Sequence, residues 1–340
     1  MKRSLNTLLI LLTAVATIGV VLAYVFAPDI FTPRLPSRLL PSRPRDFATL
    51  WVSDFKGNRV LGVNRTGEVV WEQQMASAPL PPQSRNVHVE YVTVAPNGNL
   101  IVADGEGMMV QEIDRATHAL VWQYGVRSVQ GFERGYLHQP DKAYKINDTE
   151  VLINDGNNRR VIIVDQRINE IVWQYGKTLV GGSAPELLRG NTHAVPVDGG
   201  RQILITDTPE KKILLVDRAT KDIVWEWQKP DAKWLQHVFP TPEGTFVLED
   251  RQKNEVFEVN RAGEILWSIT DLADGSRIRT PTDAVKLDNG NVLIVVADRG
   301  RIVEVSPQTR EVVWEYGAGK PTPGSSVGFP TTIAVDQRLP

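Results

Sequence analysis

Short runs of β-branched and aliphatic residues alternate with polar turns along most of the chain, from about residue 48 to the end. In DKAYKINDTEVLINDGNNRRVIIVDQRINEIVWQYG (residues 141–176), four such runs are separated by turns rich in Asn, Asp and Gly. Runs of this length between such turns are typical of antiparallel strands joined by hairpins. Nothing in this region has the period of a long amphipathic helix. The pattern predicts an all-β body of four-stranded units.

Two residue types mark each unit. A tryptophan falls in the fourth run, and an aspartate ends the second run 16 to 18 residues earlier. Six such pairs occur, with 42 to 52 residues between successive tryptophans. Four-stranded repeats of this period are typical of β-propeller blades. The aspartates are Asp54, Asp104, Asp155, Asp207, Asp250 and Asp298, and the tryptophans are Trp71, Trp122, Trp173, Trp225, Trp267 and Trp314.

The two ends of the repeat region indicate how the ring closes. The first unit begins directly at its second run, ATLWVSD (48–54), while the chain finishes with FPTTIAVDQ (329–337), which aligns with the first run of unit six. We therefore predict a six-bladed propeller over residues 48–340, closed by the C-terminal strand so that no sheet edge stays open. The apolar pair before each Trp should pack with the indole between sheets, and each Asp should cap a turn.

The first 27 residues have a different character. Residues 4–27 carry no charge, and about 20 apolar residues are enough to cross the hydrocarbon core of a bilayer. We predict an uncleaved transmembrane anchor over residues 1–27, with a cleaved signal peptide as the alternative. Residues 28–47 are rich in Pro and Arg, which predicts an extended linker.

Charge bears on orientation and partners. Four arginines within residues 34–45 favour the body inside by a count of positive residues, whereas Lys2 and Arg3 directly adjoin the apolar run. We give the adjoining pair more weight and predict an extracytoplasmic propeller. The net charge of −2 makes nucleic acid a disfavoured partner, and the absence of cysteine excludes disulfides, a thiol nucleophile and Cys-ligated zinc.

The repeats resemble three propeller families. VSDFKGNRVLGVN (52–64) and NDGNNRRVIIVD (154–165) look like NHL repeats. NTHAVPVDGGRQILITD (191–207) followed by DIVWEW (222–227) is similar to arylsulfotransferase-type propellers. A D-x-x-T-G-x-x-x-W motif, typical of pyrroloquinoline-quinone-like propellers, is matched twice apart from its glycine, and six blades without cysteine argue against quinone binding. The matches are Asp114, Thr117 and Trp122, and Asp217, Thr220 and Trp225, with His118 and Lys221 in place of the glycine.

Function should lie where the units differ, because a position shared by all units serves the scaffold. Four histidines lie at or just before the first strand of blades two to five, and Arg279 has the corresponding place in blade six. By resemblance to other propellers, the first strand lines the central channel, so these side chains should face one funnel. Arg134 and Arg189, in the preceding loops, are candidates to attract an anionic ligand. The histidines are His88, His138, His193 and His237.

Three hypotheses account for the histidines. Each ring can bond a backbone carbonyl, several can hold a divalent metal ion although no carboxylate is clearly placed among them, or one can act as a nucleophile. By resemblance to the sulfotransferase propellers, His193 is the candidate nucleophile for sulfuryl transfer, with His138, His237 and Arg279 in support. Because side chains alternate along a strand, a cluster of three histidines is as consistent with the spacing as one of four.

Together these features predict a membrane-anchored, extracytoplasmic propeller that binds a protein partner or a small anionic ligand at its channel mouth. An arylsulfotransferase-like enzyme is the alternative. We predict no organic cofactor, and a divalent metal ion at the histidine cluster remains an open hypothesis.

Overall fold

The structure is a computed structural model that describes residues 47–75, 89–190, 192–317 and 330–335. These residues form six antiparallel sheets of four strands each, which confirms the predicted six-bladed propeller. The predicted anchor (1–27), the linker up to residue 46 and His88 lie outside the described residues. Within the described ranges, no helix has the length and apolarity needed to cross a membrane.

Strands run outward from the channel in sequence order in every blade except the first, which begins with the C-terminal strand. Blade one contains β24 (Pro330–Val335), β1 (Leu50–Asp54), β2 (Arg59–Val63) and β3 (Val69–Gln74). Blade two contains β4 (Tyr91–Val94), β5 (Leu100–Asp104), β6 (Met109–Ile113) and β7 (Leu120–Tyr124). Blade three contains β8 (Pro140–Lys145), β9 (Glu150–Asp155), β10 (Arg160–Asp165) and β11 (Glu170–Tyr175).

The second half of the ring repeats this order. Blade four contains β12 (Thr192–Val197), β13 (Gln202–Asp207), β14 (Lys212–Asp217) and β15 (Ile223–Gln228). Blade five contains β16 (Leu235–Pro240), β17 (Phe246–Asp250), β18 (Glu255–Val259) and β19 (Ile265–Ile269). Blade six contains β20 (Pro281–Lys286), β21 (Val292–Val296), β22 (Arg301–Val305) and β23 (Val312–Gly317). Short 3-10 turns follow β9 and β21, at Gly156–Asn158 and Ala297–Arg299.

The predicted ring closure is confirmed. β24 pairs antiparallel with β1, with Ile333 opposite Val52 and Val335 opposite Leu50. The innermost strands β4, β8, β12, β16, β20 and β24 contact one another in that order around the ring and line the channel. Six apolar clusters, one between each pair of neighbouring blades, form the core. Residues from the two ends of the sequence thus share one sheet.

The tryptophans join neighbouring blades, as predicted. Each packs against an inter-blade cluster. Four of them also donate their indole N–H to a backbone carbonyl in the outer turn of the next blade, at 2.8–2.9 Å. The other two donate to side-chain oxygens, Trp122 to Asn169 of the next blade at 2.7 Å and Trp267 to Glu258 of its own blade. The four that bond a carbonyl are Trp71, Trp173, Trp225 and Trp314.

The prediction that both residues of the apolar pair before each tryptophan pack with the indole is wrong. In β11, Val172 is 47% exposed, and Val70 and Val224 are exposed in the same way. Ile171 is partly buried, but it packs on the cluster between blades two and three, whereas Trp173 packs on the cluster between blades three and four. A β-bulge between these two residues places them on opposite faces of the sheet. In blades two and five both members of the pair are exposed, namely Leu120 and Val121, and Ile265 and Leu266.

Five of the six repeated aspartates accept backbone hydrogen bonds as predicted. Asp155 accepts the N–H of His138 at 2.8 Å, and Asp250 accepts those of Lys233 and Trp234 at 2.8 and 3.0 Å. These bonds hold the loop that leads into the innermost strand. Asp298 is the exception: Val296 occupies the equivalent place opposite Pro281, and Asp298 is exposed in the following 3-10 turn.

The residues that replace the motif glycine have left-handed backbone angles. His118 has φ of 62° and Lys221 has φ of 64°. Glycine adopts this region without the steric cost that other residues incur. His118 stacks on Trp71 at 4.7 Å, and this contact offsets part of that cost. The turn therefore keeps the conformation of the motif without its glycine.

Candidate functional site

The register of the sheets defines one equivalent position on the innermost strand of every blade. In each blade, one residue of the second strand pairs with an apolar residue of the innermost strand, and the equivalent position is the residue just before that apolar residue. From blade one to blade six, these residues of the second strand are Val52, Val102, Ile153, Ile205, Leu248 and Ile294. Five residue types fill this position, whereas the tryptophan position is constant. The six residues, from blade one to blade six, are Thr332, Tyr91, Lys142, His193, His237 and Asp283.

His193 and His237 form a buried pair. Their rings meet edge to face with centroids 4.3 Å apart. Asp141 of β8 lies between them, with Oδ2 2.8 Å from Nδ1 of His193 and Oδ1 3.4 Å from Nε2 of His237. The contact to His193 lacks the alignment of a hydrogen bond, so this buried Nδ1 has no hydrogen-bond partner among the described residues.

The other nitrogen of His237, Nδ1, contacts two hydrogen-bond acceptors. Nδ1 lies 2.6 Å from the carbonyl oxygen of Thr282 and 3.0 Å from Oε1 of Glu249, so it must carry a proton. Tyr91 of blade two meets the His237 ring edge to face at 5.7 Å. These contacts fix the orientation of the ring and direct Nε2 toward Asp141.

Burial and neighbouring charges act differently on the two histidines. Burial lowers the pKa of His193, and the Asp141 carboxylate opposes it only in part. For His237, burial and Lys142 favour the neutral ring, but Asp141 and Glu249 outweigh them and raise the pKa to about 9. Burial would raise the pKa of Asp141, but the two histidines hold it well below its usual value. At neutral pH His193 is therefore neutral and Asp141 ionised.

A buried ion pair crosses the channel beside the histidines. Nζ of Lys142, on β8, lies 2.7 Å from both carboxylate oxygens of Asp283, on β20. Oδ2 of Asp283 also accepts the backbone N–H of Ile333 in the closing strand at 3.0 Å. Burial lowers the pKa of Lys142, but Asp283 outweighs it and the pKa lies above its usual value. Blades three, six and one are joined through this pair.

The structure brings together only part of the predicted histidine set. His138 lies four residues before Lys142, and Arg279 lies four residues before Asp283, so neither is at the position of His193 and His237. His138 is half-buried, and its backbone N–H is bound to Asp155. Arg279 is exposed. The predicted alignment of these two residues with the histidine pair does not hold.

Carboxylates already neutralise the two predicted ligand-binding arginines. Arg134 is exposed and pairs with Glu170 at 2.5 Å. Arg189 pairs with Glu210, and its Nη2 also donates to the hydroxyl of Ser183 at 3.1 Å. Both side chains lie on loops that lead into the innermost strands.

Three carboxylates of the cluster were not foreseen. Asp141, Glu249 and Asp283 surround His237, which corrects the expectation that no carboxylate is placed among the histidines. The sequence did contain a signal for two of these carboxylates. When positions are counted back from the start of the second strand, the runs QPDKA and PTDAV align with NTHAV, which places Asp141 and Asp283 opposite His193 in the alignment. That count differs by one residue between blades, because Ala143 pairs with Ile153 but Ala194 pairs with Ile205, and this difference in register is not visible in the sequence.

An open pocket of about 510 Å³ lies between blades five and six, at the end where β16 and β20 begin. Lys233 and Trp234 come from the loop before β16, Arg251 from the β17–β18 turn, and Thr280 from the loop before β20. The N–H of Arg251 donates to the carbonyl of Trp234 at 3.0 Å, which joins two of these segments. His193 and His237 also lie near the starts of their innermost strands, β12 and β16.

The two cations of this pocket differ from Arg134 and Arg189. Within the part of the chain that the structure describes, neither Lys233 nor Arg251 forms an ion pair. The charge of Arg251 reaches the channel axis, where it lowers the pKa of Tyr91 against the dominant, opposite effect of burial. Trp234 is half-buried beside them. The pocket therefore offers two uncompensated positive charges next to an aromatic ring.

Three solved structures share the fold. A protein of unknown function from Bacteroides caccae is 14% identical with a TM-score of 0.60, covering 85% of this chain and 98% of its own. A streptogramin B lyase is 13% identical, with a TM-score of 0.53 and coverages of 84% and 86%. The virginiamycin B lyase of Staphylococcus aureus is 13% identical, with a TM-score of 0.52 and coverages of 80% and 81%. At these identities the likeness shows the fold alone.

No curated protein matches the sequence significantly. The family model described as "Outer membrane protein assembly factor BamB" matches residues 56–189 and, a second time, residues 157–334. The two overlapping matches cover nearly the whole propeller, and the predicted likeness to pyrroloquinoline-quinone-like propellers is confirmed. A propeller of this type is a binding scaffold in general terms. The chain belongs to the propeller family whose model bears the name of the outer membrane protein assembly factor BamB.

Proposed function

We propose that this protein is a membrane-anchored, extracytoplasmic binding scaffold that receives an anionic group at its channel-mouth face. The group belongs either to a small molecule or to a side chain of a partner protein. The observation that carries the proposal is the pair of uncompensated cations, Lys233 and Arg251, beside Trp234 in an open pocket. Assembly with a protein partner agrees with the name of the family model.

The chemistry of the pocket favours an anion attached to a flat apolar group. A guanidinium and an ammonium offer charge-assisted hydrogen bonds to sulfate, phosphate or carboxylate oxygens. An indole beside them offers a face on which an aromatic ring can stack. An arginine that already pairs with a carboxylate, as Arg134 does with Glu170, has less affinity left for an anionic ligand than an unpaired cation.

The experiment titrates p-nitrophenyl sulfate, an aromatic anion, into the full-length protein. The double variant Lys233→Ala/Arg251→Ala should bind it about 100-fold more weakly, since each lost charge-assisted bond costs roughly 1.5 kcal/mol or more and 1.4 kcal/mol is tenfold. Arg134→Ala/Arg189→Ala is the matched control, because those cations are already paired, and it should change the affinity less than about threefold. A titration with a sulfotyrosine peptide then separates a protein ligand from a free small molecule.

The opposite pattern would overturn the proposal. If Arg134→Ala/Arg189→Ala loses binding while Lys233→Ala/Arg251→Ala keeps it, the anion site is the one first predicted from the loops. Absence of binding to both ligands at millimolar concentration would mean that this face does not receive such anions.

The geometry around His193 favours one second candidate, the arylsulfotransferase-like activity. The His193 ring is neutral and buried next to Asp141, as a nucleophilic imidazole requires. Its nitrogen would attack sulfur as the S–O bond to the phenol breaks, and a second phenol would then accept the sulfuryl group. The test is release of p-nitrophenolate with a phenol acceptor, compared between the full-length protein and its His193→Ala variant. Release that does not depend on both His193 and the acceptor contradicts this activity.

A further inference from the structure

We propose that Asp141, His193 and His237 form a binding site for a divalent transition-metal ion, of the zinc type, at the channel axis. The inference goes beyond the proposed function, because it concerns a buried cluster and not the Lys233–Arg251 pocket. One side chain comes from each of three consecutive blades, through β8, β12 and β16.

The distances suit a metal ion. The ligand atoms of the three side chains all lie within 4.8 Å of one another, with Asp141 oxygens 2.8 Å from His193 Nδ1 and 3.4 Å from His237 Nε2. With metal–ligand bonds of about 2.1 Å, the ligand atoms of a tetrahedral site are about 3.4 Å apart. Two imidazoles and one carboxylate leave a fourth position open, as in catalytic zinc sites.

The lone pairs that a metal needs are accounted for. Nδ1 of His193 is buried, and its 2.8 Å contact with Oδ2 of Asp141 lacks the alignment of a hydrogen bond. On His237, the carbonyl of Thr282 and the carboxylate of Glu249 hold the proton on Nδ1, leaving Nε2 to face Asp141. A histidine that binds a metal through one nitrogen commonly donates the other N–H to a carboxylate or carbonyl in this way.

The overlapping group His237, Glu249 and Asp283 is a poorer site. Lys142 already binds both oxygens of Asp283 at 2.7 Å, and Asp283 also accepts the N–H of Ile333. Nδ1 of His237, which faces this group, already donates its proton to Thr282. A metal ion there would have to displace each of these partners.

The side chains around the cluster favour a cation. Three carboxylates surround it, namely Asp141, Glu249 and Asp283, against one lysine, Lys142. His193 and His237 are only 6% and 4% exposed, and carboxylates buried beside them are costly unless they are paired or coordinate a metal. Asp141 is 15% exposed, the largest exposed fraction among the three proposed ligands.

The test uses Co²⁺ as a coloured substitute for Zn²⁺, added to the untagged full-length protein after treatment with a chelator. We expect one equivalent of Co²⁺ to give a visible d–d band, to raise the melting temperature, and to be displaced by Zn²⁺. His193→Ala and Asp141→Asn should each weaken Co²⁺ binding by about 100-fold or more. Glu249→Gln, which changes only the group behind His237, should weaken it by about 10–100-fold.

The control variant is His118→Ala, which removes a histidine from the outer turn of blade two and should leave Co²⁺ binding unchanged. Circular dichroism of each variant shows whether it is folded, and Asp141→Asn keeps the size of the side chain should His193→Ala fail to fold. A band that persists in His193→Ala and Asp141→Asn overturns the proposal. So does the absence of Co²⁺ binding by the unmodified protein up to about 1 mM. Neither result bears on anion binding by Lys233 and Arg251, so the two proposals fail separately.

Discussion

Replacing Lys142 by methionine is expected to lower the free energy of unfolding by about 3–5 kcal/mol. Lys142 and Asp283 are almost fully buried, and removing the ammonium leaves the carboxylate without its partner in a site of low polarity. Methionine keeps most of the volume of lysine, so packing changes little. The loss is an electrostatic one, and it is measured by denaturant unfolding of the two proteins.

Two comparisons separate this effect from general damage. Arg134→Met removes an exposed pair with Glu170 and should cost at most about 1 kcal/mol. Lys142→Met/Asp283→Asn should recover part of the stability lost in the single variant, because no isolated charge is then buried. A Lys142→Met variant no less stable than Arg134→Met would show that the pair does not join the blades as described.

Ending the chain after Gly317 is expected to abolish the folded monomer. β24 supplies the innermost strand of blade one, and without it β1 becomes an open edge that exposes Leu50, Trp51 and Val52, all at most 2% exposed in the closed ring. The loss also removes Ile333 from the core between blades six and one. An unpaired apolar strand of this kind pairs with other copies and aggregates.

The matched control ends after Val335, the last residue of β24, and should give a folded monomer. Size-exclusion chromatography and circular dichroism compare the two chains. A folded, cooperatively unfolding monomer from the chain that ends at Gly317 would contradict the role assigned to the closing strand.

The fold was predictable because each blade repeats the same short sequence pattern. The nearly constant distance of 16 to 18 residues from the repeated Asp to the Trp of the fourth strand fixes the unit, and the missing first run of unit one indicates how the ring closes. The prediction of which side chains of the fourth strand are buried was less accurate, since Val172 was assigned to the core but faces solvent. The position of Asp298 failed for a similar reason, because the second strand of blade six ends two residues earlier.

The site was only partly predictable, because its residues are far apart in the sequence and come into contact only in the folded ring. His193 and His237 were identified, but His138 was wrongly aligned with them, because the sequence does not show that the innermost strand of blade three begins only at Pro140. Lys142 and Asp283 are 141 residues apart and meet only because the ring places their blades across the channel. The pocket cations were missed because sequence does not show which charges have partners. Lys233 and Arg251 form no ion pair within the described part of the chain, whereas Arg134 and Arg189 do.

The most direct test of the account is to locate a bound anion on the propeller. Crystals of the full-length protein with p-bromophenyl sulfate would place the ligand through the anomalous scattering of bromine. We predict a bromine position beside Trp234, with the sulfate facing Lys233 and Arg251. Bromine found only along the outer strands, or only beside Arg134 and Arg189, would contradict the claim that the channel-mouth pocket is the binding site.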